Sequence, residues 1–299
     1  MAAAVLAITP KLRRQLADWL QEDLGRGDLT APALRGQRGT AEWIAKANGL
    51  FCGGVLVEPL LQELQPGGAG LELRLLVSEG RPIAAGDRLL EISGPAELLV
   101  AVERTALNLA MHLSGIATAT AVLVAQLQGT AVRLADTRKT TPGLRELEKY
   151  AVRCGGGSNH RMGLDDAAML KENHLAWAGG LEAAITRVRA SAPWPAQLIV
   201  EAESEEEALA AVAAGVDAVL LDNFSAAELL PLVPLLRQAA ALRGRPLLLE
   251  ASGVDPSALG SYAASGIDLI STSAPITRSS WLDISMRFAL DGSTAAVRG

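Results

Sequence analysis

The chain has 299 residues, of which 49% are hydrophobic and only 3% aromatic, and its formal net charge is -6. That hydrophobic content is enough for a sizeable core and excludes a disordered chain, and the Ala, Leu and Val bulk favours α/β layers over a β-sandwich. The acidic balance excludes a general nucleic-acid binder or a membrane-surface binder, since both need a basic face.

The first third of the chain has a mixed α and β pattern. Helical periodicity runs through LRRQLADWLQEDL, and the following GRGDLT predicts a turn in which Asp28 or Thr30 caps the next helix. Strand-like runs bounded by glycines come next, at AEWIAKANGLFCGG, LELRLLVSEG and RPIAAGDRLLEISGP.

A long helical tract is predicted over residues 96–127, as a bridge between two parts of the chain. We expect charged residues to interrupt every apolar run before it is long enough to span a bilayer. The N-terminal apolar run also lacks the preceding basic residues of a signal peptide. The sequence therefore predicts a cytoplasmic protein, in which Cys52 and Cys154 are buried free thiols, not zinc ligands or nucleophiles.

From about residue 130 the pattern changes to short apolar runs that alternate with Ala- and Leu-rich helical segments. Such continuous runs indicate parallel strands that are buried on both faces, in a barrel or a doubly wound sheet. The six runs are AVRLADT, AAMLKEN, QLIVEAE, DAVLLDN, RPLLLEASG and DLISTS.

Charged or hydroxyl side chains close all six predicted strands. A single one would be read as an ordinary cap or surface ion pair, but the succession favours an active site, which βα barrels carry at the carboxyl ends of their strands. These side chains are Arg138, Lys139, Lys171, Glu201, Glu203, Asp222, Asn223, Glu250, Ser252, Ser271 and Ser273.

The side chains of this rim divide by sign along the chain. Cations come first, joined by His160 and Arg161, and suit a small ligand with several carboxylates or phosphates. The later carboxylates suit Mg²⁺, sugar hydroxyls or a developing cation. Two glycine segments stay open: GGGSNHR (155–161) either cradles an anion or is a flexible loop, and LEASG (249–253) either binds phosphate or is a plain turn.

Several segments, in this order, resemble the quinolinate phosphoribosyltransferases over about residues 21–288. They are EDLGRGDLT, ERTALNLAMHLSGIAT, DTRKTTPGLRELEKYAVRCGGGSNHRMGLDDAAMLKENH, VEAES, LLDN, LEASG and LDISMRF. The resemblance implies transfer of phosphoribose from phosphoribosyl pyrophosphate (PRPP) to the ring nitrogen of quinolinate, with decarboxylation. The products would be nicotinate mononucleotide, pyrophosphate and CO₂, in de novo NAD synthesis.

The resemblance also implies an architecture. It predicts an N-terminal α/β sandwich domain (1–115), an incomplete α/β barrel (116–274) with the active site at its strand ends, and a C-terminal helix (275–299) that returns to the first domain. It further implies a homodimer, or an assembly of dimers, in which Arg104 completes the pocket of the neighbouring subunit.

The roles of individual residues follow from the same resemblance. The two quinolinate carboxylates would be held by Arg104, Arg138, His160, Arg161 and Lys171. Lys139 would meet the substrate or the PRPP phosphates, and Glu201 and Asp222 would face the ribose and bind Mg²⁺. The expected catalytic groups are Lys139, Lys171, Glu201 and Asp222. The 5-phosphate would be held by Ser252, Gly253 and Ser273.

One segment departs from the family pattern. In ISTSAPITRSSW, Ser273 replaces a glycine, and no His or Lys stands at the usual place, although Arg278 is near. Two alternatives compete with this resemblance. A molybdate-transport-associated paralogue shares the TRKT-type segment, but the EKYAVRCGGGSNHR and LKENH context favours the quinolinate enzymes. A non-catalytic barrel that binds an anionic metabolite would be expected to lose rim carboxylates that this chain keeps.

Overall fold

The computed structural model describes residues 4–67 and 70–290. The chain divides into two compact units, neither of which is continuous in sequence. The first unit comprises residues 1–119, 150–156 and 279–299, and the second comprises residues 120–149 and 157–278.

The elements up to the long central helix belong to the N-terminal part of the chain. They are α1 (Pro10–Leu24), α2 (Ala31–Leu34), β1 (Arg38–Ala45), β2 (Gly49–Leu50), a 3₁₀ turn (Gly54–Leu56), α3 (Val57–Leu64), β3 (Glu72–Leu75), β4 (Pro82–Ile83), β5 (Arg88–Pro95) and α4 (Ala96–Ala125).

The remaining elements alternate between strand and helix. They are β6 (Arg133–Ala135), α5 (Arg145–Cys154), β7 (Ala168–Leu170), α6 (Glu172–Ala178), α7 (Leu181–Ser191), β8 (Leu198–Ala202), α8 (Glu205–Ala213), β9 (Ala218–Asp222), α9 (Ala226–Leu242), β10 (Leu248–Ser252), α10 (Leu259–Ala263), β11 (Leu269–Ser271), α11 (Ala274–Thr277) and β12 (Ile284–Leu290).

The first unit contains a four-stranded antiparallel sheet in the order β12-β1-β5-β3. Burial alternates along the first half of β1, as period-2 side-chain geometry requires, and places Ala41 and Trp43 in the core. The indole nitrogen of Trp43 donates a hydrogen bond to Met286 Sδ on β12, at 3.1 Å. This bond and the strand pairing join the C-terminal part of the chain to the first sheet.

The prediction of a C-terminal helix is wrong for the described part of this segment. Only Ala274–Thr277 is helical, and Ile284–Leu290 is a strand paired with β1. The alternating burial of Ile284 and Met286 explains the strand, because one face enters the core while Arg287 stays outside. Residues 291–299 of the expected helix lie outside the described residues.

Helix α4 contradicts the expectation that charges interrupt every apolar run. None of the 21 residues from Thr105 to Ala125 is Asp, Glu, Lys or Arg, and by length and composition this helix could cross a membrane. However, 44% of its most apolar window is buried inside the structure. Leu107, Leu113 and Ile116 are all fully or almost fully buried, which is the pattern of a core helix.

The second unit is built on a six-stranded parallel sheet in the order β6-β11-β10-β9-β8-β7. Ser158 forms an isolated parallel bridge with Ala135 of β6, and the sheet does not close into a barrel. This architecture confirms the predicted fold class, α/β, with an N-terminal α/β sandwich domain followed by an incomplete, open α/β barrel of parallel strands.

The strands of this sheet are buried on both faces, as their continuous apolar runs predicted. On β8, Val200 and Ala202 pack in the large cluster formed with the helices. Ile199 packs on the opposite face with Ala218 and Leu220. Side chains alternate along a strand, so a residue two positions after another lies on the same face. Glu201 follows Ile199 and Asp222 follows Leu220 at this spacing, and both therefore lie on the inner face.

Candidate active site

The carboxyl ends of the parallel strands gather most of the predicted side chains in the second unit. Parallel strands end at one edge of a sheet, so residues that are distant in sequence meet there. The predicted site residues in this unit are Arg138, Lys139, His160, Arg161, Lys171, Glu201, Asp222, Ser252, Gly253 and Ser273.

Asp136 anchors the segment that follows β6, although the sequence had not singled it out. Its carboxylate is buried and forms an ion pair with the equally buried Lys149 on α5. It also accepts hydrogen bonds from Asn159 Nδ2 at 2.6 Å and from the backbone N–H of His160 at 2.8 Å. Lys149 donates in addition to the His160 carbonyl oxygen at 2.9 Å, so the backbone of the NHR segment (159–161) is fixed from two sides.

Burial acts on both partners of this ion pair. It raises the pKa of Asp136, and the charge and hydrogen bond of Lys149 oppose that shift. Burial likewise lowers the pKa of Lys149, against the attraction of Asp136. Each group is therefore held in its charged form mainly by the other.

The imidazole of His160 is held in one orientation. Its Nδ1 accepts a hydrogen bond from the backbone N–H of Arg161 at 2.7 Å, which requires an unprotonated Nδ1. Nε2 then carries the proton and donates to Glu250 Oε2 at 3.2 Å. Glu250 is 1% exposed, and its Oε1 has no hydrogen-bond partner. In this arrangement His160 is neutral, and both of its nitrogens have partners.

Arg138 and Arg161 provide a local concentration of positive charge. Partial burial and the repulsion from Arg138 lower the pKa of Arg161. The guanidinium of Arg161 donates to the carbonyl oxygen of Ala167 at 2.9 Å, whereas Arg138 and its neighbour Lys139 are exposed. Two guanidinium groups that repel each other form a site for an anionic ligand, because a bound carboxylate relieves the repulsion.

Lys171 follows β7 and forms an ion pair with Glu201 at the end of β8. Glu201 belongs to a group of three carboxylates, with Glu203 and Asp222, whose oxygen atoms lie within 4.8 Å of one another. Three carboxylates this close favour a hard divalent cation such as Mg²⁺, which would neutralise their mutual repulsion. The donor set of the described structure therefore fits the expected metal ligands Glu201 and Asp222, and adds Glu203.

The ends of β9 and β10 meet closely beyond this acidic group. Asn223 has a left-handed backbone with φ 60°, donates through Nδ2 to Asp222 at 3.0 Å, and donates its N–H to the Ser252 carbonyl oxygen at 3.1 Å. Gly253 has φ +72°, and a Cβ at this position would overlap Asn223 Oδ1. Only glycine therefore fits here, which explains the glycine of LEASG.

The atypical segment after β11 contains the short helix α11 and is internally bonded. The carbonyl oxygen of Ser273 accepts hydrogen bonds from the N–H groups of Ile276 and Thr277, both at 2.9 Å. The side chain of Ser273 lies 3.5 Å from Thr277 Oγ1. Ser273 remains half-buried at the edge that also carries Ser252.

Three further basic residues have other surroundings. Arg104 lies in the first unit on α4, is 64% exposed at its side chain, and contacts Glu103. Arg153 also belongs to the first unit and donates to the Val5 carbonyl oxygen at 2.8 Å. His174 caps α6, since its Nδ1 accepts from the Lys171 N–H at 3.1 Å.

Two depressions of the second unit adjoin these groups. A cavity of about 380 Å³ is lined by His160, Arg161 and Glu250 together with apolar residues of the inner face. A second one of about 530 Å³ is lined by Glu201, Glu203 and Glu207. The volumes suit small ligands. The second lining is acidic, whereas the first combines the cations Arg133 and Arg161 with the carboxylates Asp166 and Glu250.

Three supports of the NHR segment were not predicted from the sequence: Asp136, Lys149 and Asn159. A signal was present, because Asp136 closes the first parallel strand in the same way as the acids that were singled out. Lys149 gave no such signal, since it lies on helix α5, which was not predicted. Its burial became visible only with the fold.

Comparison with known proteins shows similarity over nearly the whole chain. Residues 28–114 match the family model for the quinolinate phosphoribosyl transferase N-terminal domain, and residues 116–287 match the model for the C-terminal domain. A probable nicotinate-nucleotide pyrophosphorylase (carboxylating) from Synechocystis is 44% identical over 91% of this chain and 90% of its own. The Mycobacterium leprae enzyme of the same name is 38% identical, over 85% and 89%.

Solved structures agree with the sequence comparisons. NadC from Streptococcus pyogenes superimposes with a TM-score of 0.87 at 34% identity, covering 96% of this chain and 99% of that one. The nicotinate-nucleotide pyrophosphorylase from Francisella tularensis gives a TM-score of 0.84, over 94% and 98%. The resemblance seen in the sequence is thus confirmed, and the chain belongs to the quinolinate phosphoribosyltransferase family.

Proposed function

We propose that this chain transfers phosphoribose from PRPP to quinolinate and releases pyrophosphate and CO₂, which makes nicotinate mononucleotide for NAD biosynthesis. The observation that carries the proposal is the division of one sheet edge into a cationic side, with Arg138, Arg161 and Lys171, and an acidic side, with Glu201 and Asp222. A dicarboxylate acceptor and a sugar that becomes cationic need these two surroundings side by side.

The cationic side binds and orients quinolinate in this proposal. Arg138, Arg161 and Lys171 receive the two carboxylates, and a bound carboxylate competes with Glu201 for the Lys171 ammonium. His160 contributes a ring whose orientation is fixed by its contact with Glu250, and its backbone N–H is held by Asp136. Lys139 lies exposed beside Arg138, within the same TRKT segment, and we assign it to the phosphates of PRPP.

The transfer step forms the bond between the ring nitrogen and C1 of the ribose and breaks the bond from C1 to the pyrophosphate oxygen. The leaving pyrophosphate takes the electron pair, and positive charge develops on the ribose. Glu201 and Asp222 stabilise that charge electrostatically. A Mg²⁺ ion held by Glu201, Glu203 and Asp222 would neutralise charge on the pyrophosphate.

Decarboxylation follows from the charge of the ring. The nitrogen becomes a pyridinium after the transfer, so the bond between the ring and the adjacent carboxylate breaks with its electron pair left on the ring carbon. A proton then replaces the carboxylate, and CO₂ leaves. No separate decarboxylation cofactor is needed, because the cationic ring accepts the electrons.

Three further assignments belong to the same proposal. Ser252, Gly253 and Ser273 hold the 5-phosphate, Arg104 reaches the pocket of a second subunit in a homodimer, and the protein acts in the cytoplasm. The exposed position of Arg104 supports the second assignment, since its described partner is only the adjacent Glu103.

The direct test is an assay of the purified chain with quinolinate, PRPP and Mg²⁺. We expect nicotinate mononucleotide and CO₂ in equal amounts. We expect no product when nicotinate replaces quinolinate. A chelator should abolish turnover, and added Mg²⁺ should restore it. Product formation from nicotinate, or binding of quinolinate without turnover, would instead identify a salvage enzyme or a non-catalytic binder.

Replacement of Lys171 tests the role of the cationic side. We expect Lys171→Ala to lower kcat/KM by about 100- to 1000-fold, because one cation that meets the substrate charge is lost. The exposed Lys11→Ala on α1 is the matched control and should keep wild-type kinetics. Circular dichroism should show both variants folded, and near-native kinetics of Lys171→Ala would refute the assignment.

A further inference from the structure

The first unit contains a second group of reactive side chains that the proposed reaction does not use. Cys52 lies after β2, Cys154 ends helix α5, and Glu79 lies in the turn before β4. The two sulfur atoms and a carboxylate oxygen of Glu79 lie within 4.8 Å of one another. These are the only two cysteines of the sequence, and both are free in the structure.

The backbone holds both cysteines in place. The buried hydroxyl of Ser114 accepts from the Cys52 N–H at 2.9 Å and donates to the Cys52 carbonyl oxygen at 3.0 Å. On the other side, Gly80 packs so closely that a Cβ there would lie 2.8 Å from the Cys154 carbonyl oxygen. The approach of the two sulfurs is therefore set by packed backbone and not by a mobile loop.

The two thiols have different chemical surroundings. Burial raises the pKa of Cys52 and keeps that thiol protonated. The hydrogen bond from Cys52 and the charge of Arg153 lower the pKa of Cys154, against the effects of partial burial and of the nearby Glu79 charge. Cys154 is also half-buried, whereas Cys52 is completely buried. A partly exposed thiol with a lowered pKa, beside a thiol that stays protonated, is the arrangement of a redox pair.

A metal site fits this cluster less well. The carboxylate of Glu79 already accepts from the Gly53 N–H at 2.8 Å, the Val55 N–H at 3.2 Å and the Tyr150 hydroxyl at 3.0 Å. It is thus a structural acceptor, and only two sulfurs remain as free ligands. Structural zinc sites use four protein ligands.

We propose that Cys52 and Cys154 are a redox-active dithiol that a peroxide converts reversibly into an intramolecular disulfide. The Cys154 thiolate attacks one peroxide oxygen, the O–O bond breaks, and hydroxide leaves, which gives a sulfenic acid. The Cys52 sulfur then attacks Cys154 Sγ, its proton is taken up, and water leaves as the S–S bond forms. Two thiols are oxidised while the peroxide is reduced to two waters, and a small dithiol reverses the change.

The test counts thiols in the purified full chain. Reduced protein should show two thiols after denaturation, and protein treated with equimolar hydrogen peroxide should show none and should have lost the mass of two hydrogens. Dithiothreitol should restore both thiols. These readouts do not involve catalysis, so they stand or fall separately from the proposed reaction.

Cys52→Ser is the matched variant, because it keeps a hydroxyl donor beside Cys154 but cannot form the disulfide. In this variant we expect dimedone to trap a sulfenic acid on Cys154, which the wild type resolves. The proposal is overturned if peroxide-treated wild type keeps both thiols, carries the same sulfenic or sulfinic product as Cys52→Ser, or forms only disulfides between chains. Stoichiometric zinc on the purified wild type that Cys52→Ser loses would also overturn it.

Discussion

Lys149 is fully buried and charged, and its ion pair with Asp136 supports the backbone that carries His160 and Arg161. A buried pair of this kind contributes little net stability compared with apolar residues, but the removal of one partner leaves an uncompensated charge. The pair therefore acts as a positional constraint on the site. Its loss is expected to affect stability and site geometry together.

Lys149→Met tests this constraint at the level of one residue. We expect the free energy of unfolding at pH 8 to fall by about 3–5 kcal/mol, because the Asp136 carboxylate stays buried without its cation. The double variant Asp136→Asn/Lys149→Met should be less destabilised than Lys149→Met alone, since it buries no charge. Urea denaturation measures both, and the exposed Lys46→Met should change stability by no more than about 0.5 kcal/mol.

The same variant gives a pH dependence whose sign follows from Asp136. Burial raises the pKa of Asp136 in the folded protein, so folding favours the protonated carboxyl. That contribution is fully present below the unfolded pKa and is lost as the pH rises through the folded pKa. Lys149→Met lacks the opposing cation. Its loss of unfolding free energy relative to wild type should therefore grow from about pH 5 to about pH 8. An equal deficit at both pH values would contradict this reading of the pair.

At the scale of elements, the parallel strands were predictable because their apolar runs end in polar residues at one sheet edge. Glu201 and Asp222 could be located in this way, since the period of a strand places both on the inner face. The pairing of Lys171 with Glu201, and of His160 with Glu250, could not be predicted. Those contacts depend on the order of the strands in the sheet, β6-β11-β10-β9-β8-β7, which no local pattern encodes.

The contact between the ends of β9 and β10 gives a prediction about Gly253. Gly253→Ala should strain the backbone and displace Asn223, which donates to Asp222. We expect kcat/KM to fall by about 10- to 100-fold, because displacements of about 1 Å at a catalytic group have effects of this size. Steady-state kinetics and urea denaturation measure the two consequences.

Gly244→Ala is the matched control for this substitution. Gly244 has a similar φ of +65°, but a Cβ there meets no atom within 4 Å. This variant should lose about 1 kcal/mol of stability through backbone strain alone and keep its activity. Equal kinetic effects of the two substitutions would show that strain, and not the contact with Asn223, matters.

At the scale of the whole molecule, the proposed dimer can be tested by complementation. If Arg104 acts in the pocket of a second subunit, an inactive Arg104→Ala chain and an inactive Lys171→Ala chain form one intact pocket when they pair. An equal mixture, dissociated and reassembled, should recover about a quarter of the wild-type activity, because half of the dimers are mixed and each has one intact site. No recovery in a mixture shown by native mass spectrometry to contain mixed dimers would place Arg104 in the pocket of its own chain.

The position of β12 has a consequence for the synthesis of the chain. This strand lies beside β1 in the first sheet, yet it is translated after all six strands of the parallel sheet. Domains usually fold in the order in which they leave the ribosome, N-terminal first. Here the second unit has every strand available while β1 still exposes the edge that β12 will cover, and an open edge of this kind can pair with another nascent chain.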